Sequence, residues 1–298
     1  IVATAWKTGD PGLIFIDQIN RYNPTPYIGT IESTNPCAEQ PLLPYESCVL
    51  GSINLPKVVE EKKINWQKLR GVVRTAVHFL DNVIDINKYP LPQIEKTTKS
   101  NRKIGLGVMG FAEMLIKLSI PYDSREGIRV AEKVMKFITR EAREKSKKLA
   151  ELRGAFPNFK GSVWDRKRIK VRNAALTTIA PTGTISTIAG CSSGIEPLFA
   201  ISYVRNILEG TEFLETNHLF EEVAKEKGFY DKKLMMEIAK QGSIRHMKKI
   251  PQSIRKIFVT AFDIPPEWHV RMQAAFQKYT DNAVSKTVNL PYQATVDD

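Results

Sequence analysis

The amino-acid sequence predicts an α/β protein, because long amphipathic stretches alternate with short apolar runs that are typical of buried strands. With 298 residues, of which 42% are hydrophobic, the chain is long enough for one large domain or two small ones and can bury a sizeable core. Strands separated by helices of ten residues or more indicate parallel βαβ units. In a parallel sheet or barrel, the loops at the carboxyl ends of the strands carry the functional site.

Three stretches of the sequence have apolar residues at the spacing of an amphipathic helix. They cover residues 65–86, about 123–152 and about 265–279. In the second stretch Asp123 and Glu126 suit a capping box, and Gly154 follows as a stop signal. Asp263 is a candidate cap for the third stretch, which carries prolines where its first turn is expected.

Five short apolar runs are expected to form buried strands between these helices. They cover residues 47–55, 104–109, 174–180, 198–204 and 283–290. The second run overlaps "GLGVMG", residues 105–110, which matches the G-x-G-x-x-G pattern of dinucleotide-binding proteins. That pattern requires a full strand before its first glycine, whereas these glycines lie inside the run. We therefore expect them to let the strand pack closely against a neighbour or a bound molecule.

The loop "APTGTIST", residues 180–187, follows the third run and is rich in hydroxyl groups around a glycine. Such a turn exposes successive backbone N–H groups, and a helix that begins there adds its positive end. The loop contains no lysine, so it is not a P-loop. The pattern favours a phosphate-binding loop over an ordinary threonine-rich helix cap.

The chain carries 44 Lys and Arg residues against 32 Asp and Glu residues, a net charge of +12. This excess fits either a lysine-rich solvated surface or an anionic partner such as nucleic acid or a nucleotide. The basic stretch "RKRIKVR", residues 166–172, alternates charged and apolar side chains but has no aromatic residue for base stacking. We therefore expect it to be a solvated edge strand protected by its charge.

Three cysteines, a small and odd number, argue against a secreted protein held together by disulfides. No apolar run approaches the ~18 residues of a membrane span, and the first residues lack the layout of a signal peptide. The sequence therefore predicts a cytoplasmic protein in reducing surroundings. The four histidines show no metal-ligand spacing, so no metal site is expected.

The stretch "NPCAEQ" begins at Asn35 with an Asn-Pro turn and places Cys37 near the tip of a loop. If the backbone is extended, Asn35, Cys37 and Glu39 project to the same side. A neighbouring carboxylate raises the pKa of a thiol, which disfavours a thiolate nucleophile. A protonated thiol suits hydrogen-atom transfer, with the carboxylate free to act as a base. The alternative is a turn with an incidental cysteine.

The longer stretch "NPCAEQPLLPYESCVLGSINL" resembles the active-site loop of the ribonucleotide reductases, which carries Asn-x-Cys-x-Glu inside a ten-stranded α/β barrel. "APTGTIS" resembles the substrate-diphosphate loop of the same family. "CSSGIEPLFA" and "DNAVSKTVNLP", residues 191–200 and 281–291, are similar to the adenosylcobalamin-dependent class II branch. The resemblance covers essentially the whole chain. It implies an α/β fold made of the second half of the barrel, with a central finger loop at about 33–48.

The resemblance also implies a reaction, in which ribonucleoside di- or triphosphates are reduced to 2′-deoxyribonucleotides by thiyl-radical chemistry with adenosylcobalamin as cofactor. Cys37 matches the thiyl-radical residue, Glu39 the base for the 3′-hydroxyl and Asn35 the residue that holds the sugar. Cys48 matches one half of the redox-active cysteine pair, which a thioredoxin-like protein would reduce. The residues that match the diphosphate loop are Thr182, Gly183, Thr184, Ile185 and Ser186.

Other parts implied by the resemblance lie outside this chain. The partner of Cys48, on the first half of the barrel, would lie upstream of Ile1, and a C-terminal tail would follow Asp298. The chain is therefore expected to be a fragment that needs the missing N-terminal half as a partner and is inactive alone. The match departs at Ala38, where many members have glycine. Because a methyl group is small, we expect this departure to have little effect.

Three alternatives stay open from the sequence, one of which is an inactive half-enzyme that serves only as a complementing piece. The class I large subunit receives its radical from a separate metal-containing subunit through adjacent tyrosines, but Tyr279 and Tyr292 are isolated, which favours class II. A non-catalytic nucleic-acid-binding module is suggested only by the net charge of +12. It predicts salt-dependent binding to random DNA without cobalamin binding.

Overall fold

A parallel pair of strands lies at the centre of the computed structural model, which describes residues 1–207 and 211–298. The strands are β1 Ser33–Thr34, β2 Pro41–Leu42, β3 Val49–Asn54, β4 Val59–Glu60, β5 Lys63–Ile64, β6 Ile104–Met109, β7 Ser202–Ile207 and β8 Thr211–Thr216. The helices are α1 Val2–Thr8, α2 Ile16–Arg21, α3 Trp66–Ile86, α4 Pro92–Asn101, α5 Phe111–Lys117, α6 Arg125–Arg153, α7 Val163–Arg166, α8 Gly183–Ala189, α9 His218–Glu226, α10 Lys232–Gln241, α11 Gln252–Ile257 and α12 Pro266–Gln277. Short 3₁₀ helices cover Leu55–Val58 and Pro157–Phe159.

The central pair consists of β3 and β6, which run parallel over their full length. Two more segments continue this sheet through isolated parallel bridges, one between Leu106 and Thr177 and one between Ile179 and Val284. Segments that are distant in sequence therefore lie side by side and point the same way. These contacts confirm the α/β class that the alternation of elements predicts.

Only some of the five predicted strands form regular β-ladders with a neighbouring strand. The runs 47–55 and 104–109 correspond to β3 and β6, whereas 174–180 and 283–290 are held by the isolated bridges. The run 198–204 has one parallel bridge, and its last residues enter an antiparallel hairpin of β7 and β8. Backbone hydrogen bonds still join the run 174–180 to β6, for example from the Leu106 N–H to the Leu176 carbonyl at 2.8 Å. The Leu176 N–H itself donates to the Asp281 carboxylate at 3.0 Å. Apolar runs alone do not reveal this side-chain partner.

Glycine lets β6 approach its neighbours closely. A Cβ atom on Gly107 would lie 2.4 Å from the carbonyl oxygen of Thr178, which leaves no room for a side chain. A Cβ atom on Gly105 would meet the side chains of Gln40 and Leu50. The glycines of "GLGVMG" therefore serve close packing, as expected. Gly105 and Gly107 lie inside the strand, unlike the glycines of a dinucleotide-binding turn, and Gly110 follows the strand with φ 73°.

Helix α3 packs against α6 and β3 to build the main hydrophobic core. Its fully buried side chains include Leu69, Val73, Val77 and Ile84 from α3, Val134, Met135 and Ile138 from α6, and Ile104 and Val108 from β6. Burial of each side chain of this size stabilises the fold by roughly 1.5–3 kcal/mol. Within the described ranges, no helix is both long and apolar enough to cross a lipid bilayer.

The predicted helices form as α3, α6 and α12, but two of their caps differ from the expected residues. Asn65 caps α3 by accepting a hydrogen bond from its first turn. Ser124 caps α6, so the expected Asp123 cap is wrong, and α6 ends at the predicted glycine with φ 83°. Asp263 does not cap α12, because its carboxylate accepts from the N–H of Thr260 instead.

The basic stretch 166–172 is not an edge strand, which corrects the prediction. Val171 is fully buried and packs in a small cluster with Phe156 and Trp164. Arg172 donates to the carbonyl oxygens at positions 153 and 154 and lies 3.5 Å from the buried carboxylate of Asp81. This arginine is therefore bonded within the protein, which weakens the case for a nucleic-acid-binding surface at this stretch.

Candidate active site

The loop that carries Cys37 is a tight turn between the antiparallel strands β1 and β2. Asn35 closes the turn: its N–H donates to the Gln40 carbonyl at 3.2 Å, and its Oδ1 accepts from the Gln40 N–H at 3.0 Å. Cys37 is exposed in this turn, whereas Glu39 is 2% exposed. The expectation that the two side chains project together is wrong, since the backbone turns instead of staying extended.

Ala38 adopts the left-handed backbone conformation, with φ 61°. A side chain with a Cβ atom is strained in this conformation, whereas glycine is not. Alanine in place of the glycine that the resemblance implies therefore has a conformational cost, contrary to the expectation of little effect. The cost arises from the backbone and not from the bulk of the methyl group.

Glu39 is held where three segments of the chain meet. Its carbonyl oxygen accepts from the hydroxyl of Thr178 at 2.7 Å and from the N–H of Ala283 at 3.0 Å. Its carboxylate oxygen Oε2 is buried and has no hydrogen-bond partner among the residues that the structure describes. Because a buried polar atom without a partner is unfavourable, this oxygen is a strong candidate to bind an added group.

Glu39 faces the predicted phosphate loop across an open cleft of about 260 Å³. The cleft is lined by Glu39, Leu50, Gly51, Ser52, Ala180, Pro181, Thr182, Gly183, Thr184 and Ile185. The structure therefore brings together two sites that the sequence separates by more than a hundred residues. One is a candidate base and the other a candidate anion-binding loop, so the cleft suits a substrate with a hydroxyl group and a phosphate.

The candidate phosphate loop turns at Thr182, which has φ 61°, and continues into α8. The first turn of a helix leaves its N–H groups without intrahelical partners, and here these groups belong to Gly183, Thr184 and Ile185. These three residues are exposed. The hydroxyl of Thr182 accepts from the Gly194 N–H at 2.7 Å, and that of buried Ser186 donates to the Gly183 carbonyl at 3.0 Å. Thr182 and Ser186 thus hold the loop in shape.

Cys48 precedes β3 and is half-buried, and Cys37, Cys48 and Cys191 are free thiols. Burial raises the pKa of the Cys48 thiol well above its usual range, the Lys103 ammonium opposes that rise, and the carboxylates of Glu46 and Glu39 add to it. Burial raises the pKa of the Cys191 thiol to about 11, and the negative charge of Glu113 adds to this rise. Both thiols therefore stay protonated at neutral pH.

Thr178, Glu46 and Lys103 were not predicted as site residues from the sequence, although each of them shapes the site. Thr178 is one of two threonines inside an otherwise apolar run, a signal that its hydroxyl has a partner in the core. Glu46 lies two positions before Cys48, and Lys103 directly precedes the apolar run of β6. A charged residue at the edge of an apolar run is a sequence signal for a buried, paired charge near the site.

Comparison with known proteins adds independent information. The sequence matches the family described as ribonucleotide reductase, barrel domain, over residues 1–171 and 167–298. It is 59% identical to the vitamin B12-dependent ribonucleoside-diphosphate reductase of Thermoplasma acidophilum and 52% identical to that of Mycobacterium tuberculosis, over the whole of this chain. The chain spans 39% and 43% of those two proteins. Its fold is similar to that of the Actinobacillus ureae class Id ribonucleotide reductase alpha subunit, with a TM-score of 0.78 and 25% identity over 94% of this chain and 52% of that one.

Proposed function

Because the chain belongs to the ribonucleotide reductase barrel-domain family, we propose that it supplies the finger loop and second half-barrel of an adenosylcobalamin-dependent ribonucleotide reductase. The observation that carries this proposal is the cleft in which Glu39 faces the loop 180–185. The names of its relatives specify ribonucleoside diphosphates as substrates and vitamin B12 as cofactor. The chain spans less than half of those proteins. The complete enzyme in this proposal therefore includes the other half-barrel.

Cys37 carries the thiyl radical in this proposal. Its sulfur takes the 3′ hydrogen atom from the ribose, so the C–H bond breaks and the S–H bond forms. Glu39 accepts the proton of the 3′-hydroxyl through Oε2, the buried oxygen that has no partner in the described chain. Asn35 uses its Oδ1 to close the loop, which leaves its amide N–H₂ group to donate to the sugar.

The substrate diphosphate binds the exposed N–H groups of Gly183, Thr184 and Ile185, together with the hydroxyl of Thr184. A hydrogen bond to a charged oxygen contributes about 1.5–3 kcal/mol. The positive end of α8 adds to this attraction. Thr182 and Ser186 contribute indirectly, because their hydroxyls bond within the loop and fix its shape.

The exposed position of Cys37 is compatible with adenosylcobalamin as the cofactor. A thiol that gives up a hydrogen atom to a cofactor has to be open to it, and Cys37 is exposed in its turn. When bound, this cofactor supplies a carbon-centred radical. The chain's own residues hold the Cys37 S–H group at the loop and keep the substrate hydroxyl against Glu39.

Cys48 supplies one of the two thiols that reduce the 2′ position when its hydroxyl leaves as water. The second thiol comes from the part of the protein outside this chain, and a thioredoxin-like dithiol restores the pair. The free, half-buried state of Cys48 supports this role. We place the reaction in the cytoplasm, where thiols stay reduced.

A chimera tests the proposed function directly. This chain replaces the matching segment of the Thermoplasma acidophilum reductase, with which it is 59% identical over its whole length. The chimera should reduce ribonucleoside diphosphates in the presence of adenosylcobalamin and a dithiol, and should stop when the cofactor is omitted. A chimera that folds like its parent but does not reduce nucleotides would argue against the proposal.

A further inference from the structure

A buried ion pair lies beside Cys48 and has no part in the chemistry described so far. The Lys103 ammonium lies 2.7 Å from the Glu46 carboxylate, and their side chains are 1% and 0% exposed. Lysine and glutamate are almost never fully buried unless they are paired, and taking both charges out of water is unfavourable. Well-packed apolar residues could replace such a pair without loss of stability, so its presence indicates a role beyond packing.

Glu46 is fixed in place from several directions. Its Oε2 accepts from the Leu43 N–H at 2.9 Å and from Lys103, and its Oε1 accepts from the Asn101 amide at 2.7 Å. The carboxylate therefore determines the position of the ammonium. An ammonium has three N–H donors, and in the described part of the chain Glu46 accepts one of them. Two donors remain for other groups.

The register of the sheet brings Lys103 next to Cys48. Val49 lies opposite Ile104 in the parallel pair of β3 and β6. The residues directly before them, Cys48 and Lys103, are therefore neighbours on adjacent segments. Three charged groups act on the Cys48 sulfur: Lys103 favours its thiolate, whereas the carboxylates of Glu46 and Glu39 disfavour it.

We infer that Lys103, held by Glu46, is a positioning residue that stabilises the Cys48 thiolate each time the redox-active disulfide is opened. This inference rests on the proposed function, in which Cys48 forms a disulfide with a second cysteine. A reductant dithiol attacks the second sulfur as a thiolate, the S–S bond breaks, and Cys48 leaves with the bonding electron pair. The other thiol of the reductant, after losing its proton, then displaces the second cysteine. The reductant ends as a disulfide, and the pair gains two electrons.

The test is the rate at which iodoacetamide alkylates Cys48 at about pH 9 in the reduced full-length protein, followed by mass spectrometry of the peptide that contains Cys48. Alkylation requires the thiolate. Alkylation does not require reductase activity, so a failure of this test can be distinguished from a failure of the proposed function. Lys103→Met should slow alkylation by about tenfold or more, the effect of losing a neighbouring opposite charge. Lys103→Arg should restore most of the parental rate.

Glu46→Gln is the matched control, because it keeps the size of the side chain and an acceptor oxygen but removes the negative charge. It should speed alkylation. Loosening of the fold would speed alkylation in both Lys103→Met and Glu46→Gln. Opposite effects of these two variants would therefore show that the change in rate is electrostatic. The double variant Lys103→Met/Glu46→Gln removes both charges of the ion pair. Alkylation of Cys48 should also be slower in it than in the parent, because Lys103 affects Cys48 more than Glu46 does. Unchanged or faster alkylation in Lys103→Met or in the double variant would overturn the inference.

Discussion

In the proposed function, Glu39 is a residue at which function and stability have opposite requirements. Its Oε2 atom is buried without a partner in the described chain, which is unfavourable for folding but suits a base that waits for a substrate. In the chimera, Glu39→Gln should lower nucleotide reduction by about 10²-fold or more, the usual contribution of a general base. Its melting temperature should stay the same or rise, because a buried charge is removed.

Activity assays and thermal unfolding of the same preparation check both parts of this prediction. Glu61→Gln is a suitable control, because Glu61 is an exposed carboxylate outside the cleft. Substantial activity in Glu39→Gln would exclude Glu39 as the base.

The sulfur atom of Cys37 is predicted to be indispensable for nucleotide reduction. An O–H bond is too strong to replace S–H in hydrogen-atom transfer, so Cys37→Ser in the chimera should abolish nucleotide reduction and leave the fold unchanged. Cys191→Ser is the matched control, since Cys191 is a free thiol that does not line the cleft, and it should stay active. Reduction by Cys37→Ser at even a few per cent of the parental rate would rule out the radical role.

At the scale of single elements, the turn between β1 and β2 contains a conformational strain that can be removed. Ala38 has φ 61°, and glycine adopts this conformation without the clash that a Cβ atom makes. Ala38→Gly should therefore raise the free energy of unfolding by about 1 kcal/mol. Urea unfolding of the two proteins measures the difference. A loss of stability on this substitution would show that the turn is not strained at Ala38.

The long helix α6 depends on a cap one residue away from the position that its sequence pattern indicates. The Ser124 hydroxyl accepts from the Gly127 N–H at 2.9 Å. Ser124→Ala should lower the free energy of unfolding by about 1 kcal/mol. Asp123→Asn, at the neighbouring position, should have a smaller effect, because Asp123 forms a long ion pair, at 3.6 Å, with the half-exposed Arg245. Equal losses in the two variants would contradict the assignment of the cap.

At the scale of the whole molecule, a buried cluster joins the segment after α12 to the body of the protein. Lys286 lies 2.5 Å from Glu196 and 2.9 Å from Nδ1 of His269, whose Nε2 atom donates to the Ala261 carbonyl. Burial, followed by the charge of Lys286, lowers the pKa of His269. The unfolded chain therefore binds more protons than the folded one once the pH falls below about 6.5, the ordinary value for histidine.

The contribution of His269 to stability is thus present above about pH 6.5 and is lost as the pH falls. We expect the free energy of urea unfolding to decline from pH 7 to pH 5, and the decline to be shallower in His269→Gln. His78→Gln serves as the control, since His78 lies near the protein surface beside Arg153. An unchanged pH dependence in His269→Gln would show that this histidine does not titrate with unfolding.

Sequence periodicity predicted what depends on local spacing and missed what depends on distant partners. The amphipathic pattern located α3, α6 and α12, and the apolar run 104–109 coincides with β6. The pattern could not distinguish Ser124 from Asp123 as a cap, because both residue types suit that role. It could not show that Glu39 is buried while Cys37 is exposed, since this depends on contacts with residues far along the chain.

The anchoring of Glu39 also sets an order of events during synthesis of the protein. Its carbonyl oxygen is bound by Thr178, 139 residues further along the chain, and by Ala283, which follows later still. On a ribosome that adds roughly 5–20 residues per second, these partners emerge many seconds after the turn itself. The nascent chain therefore exposes Cys37 and Glu39 long before the two are arranged for chemistry. If Cys37 and Glu39 act as proposed, a site that is completed so late cannot start the radical reaction on an unfinished polypeptide.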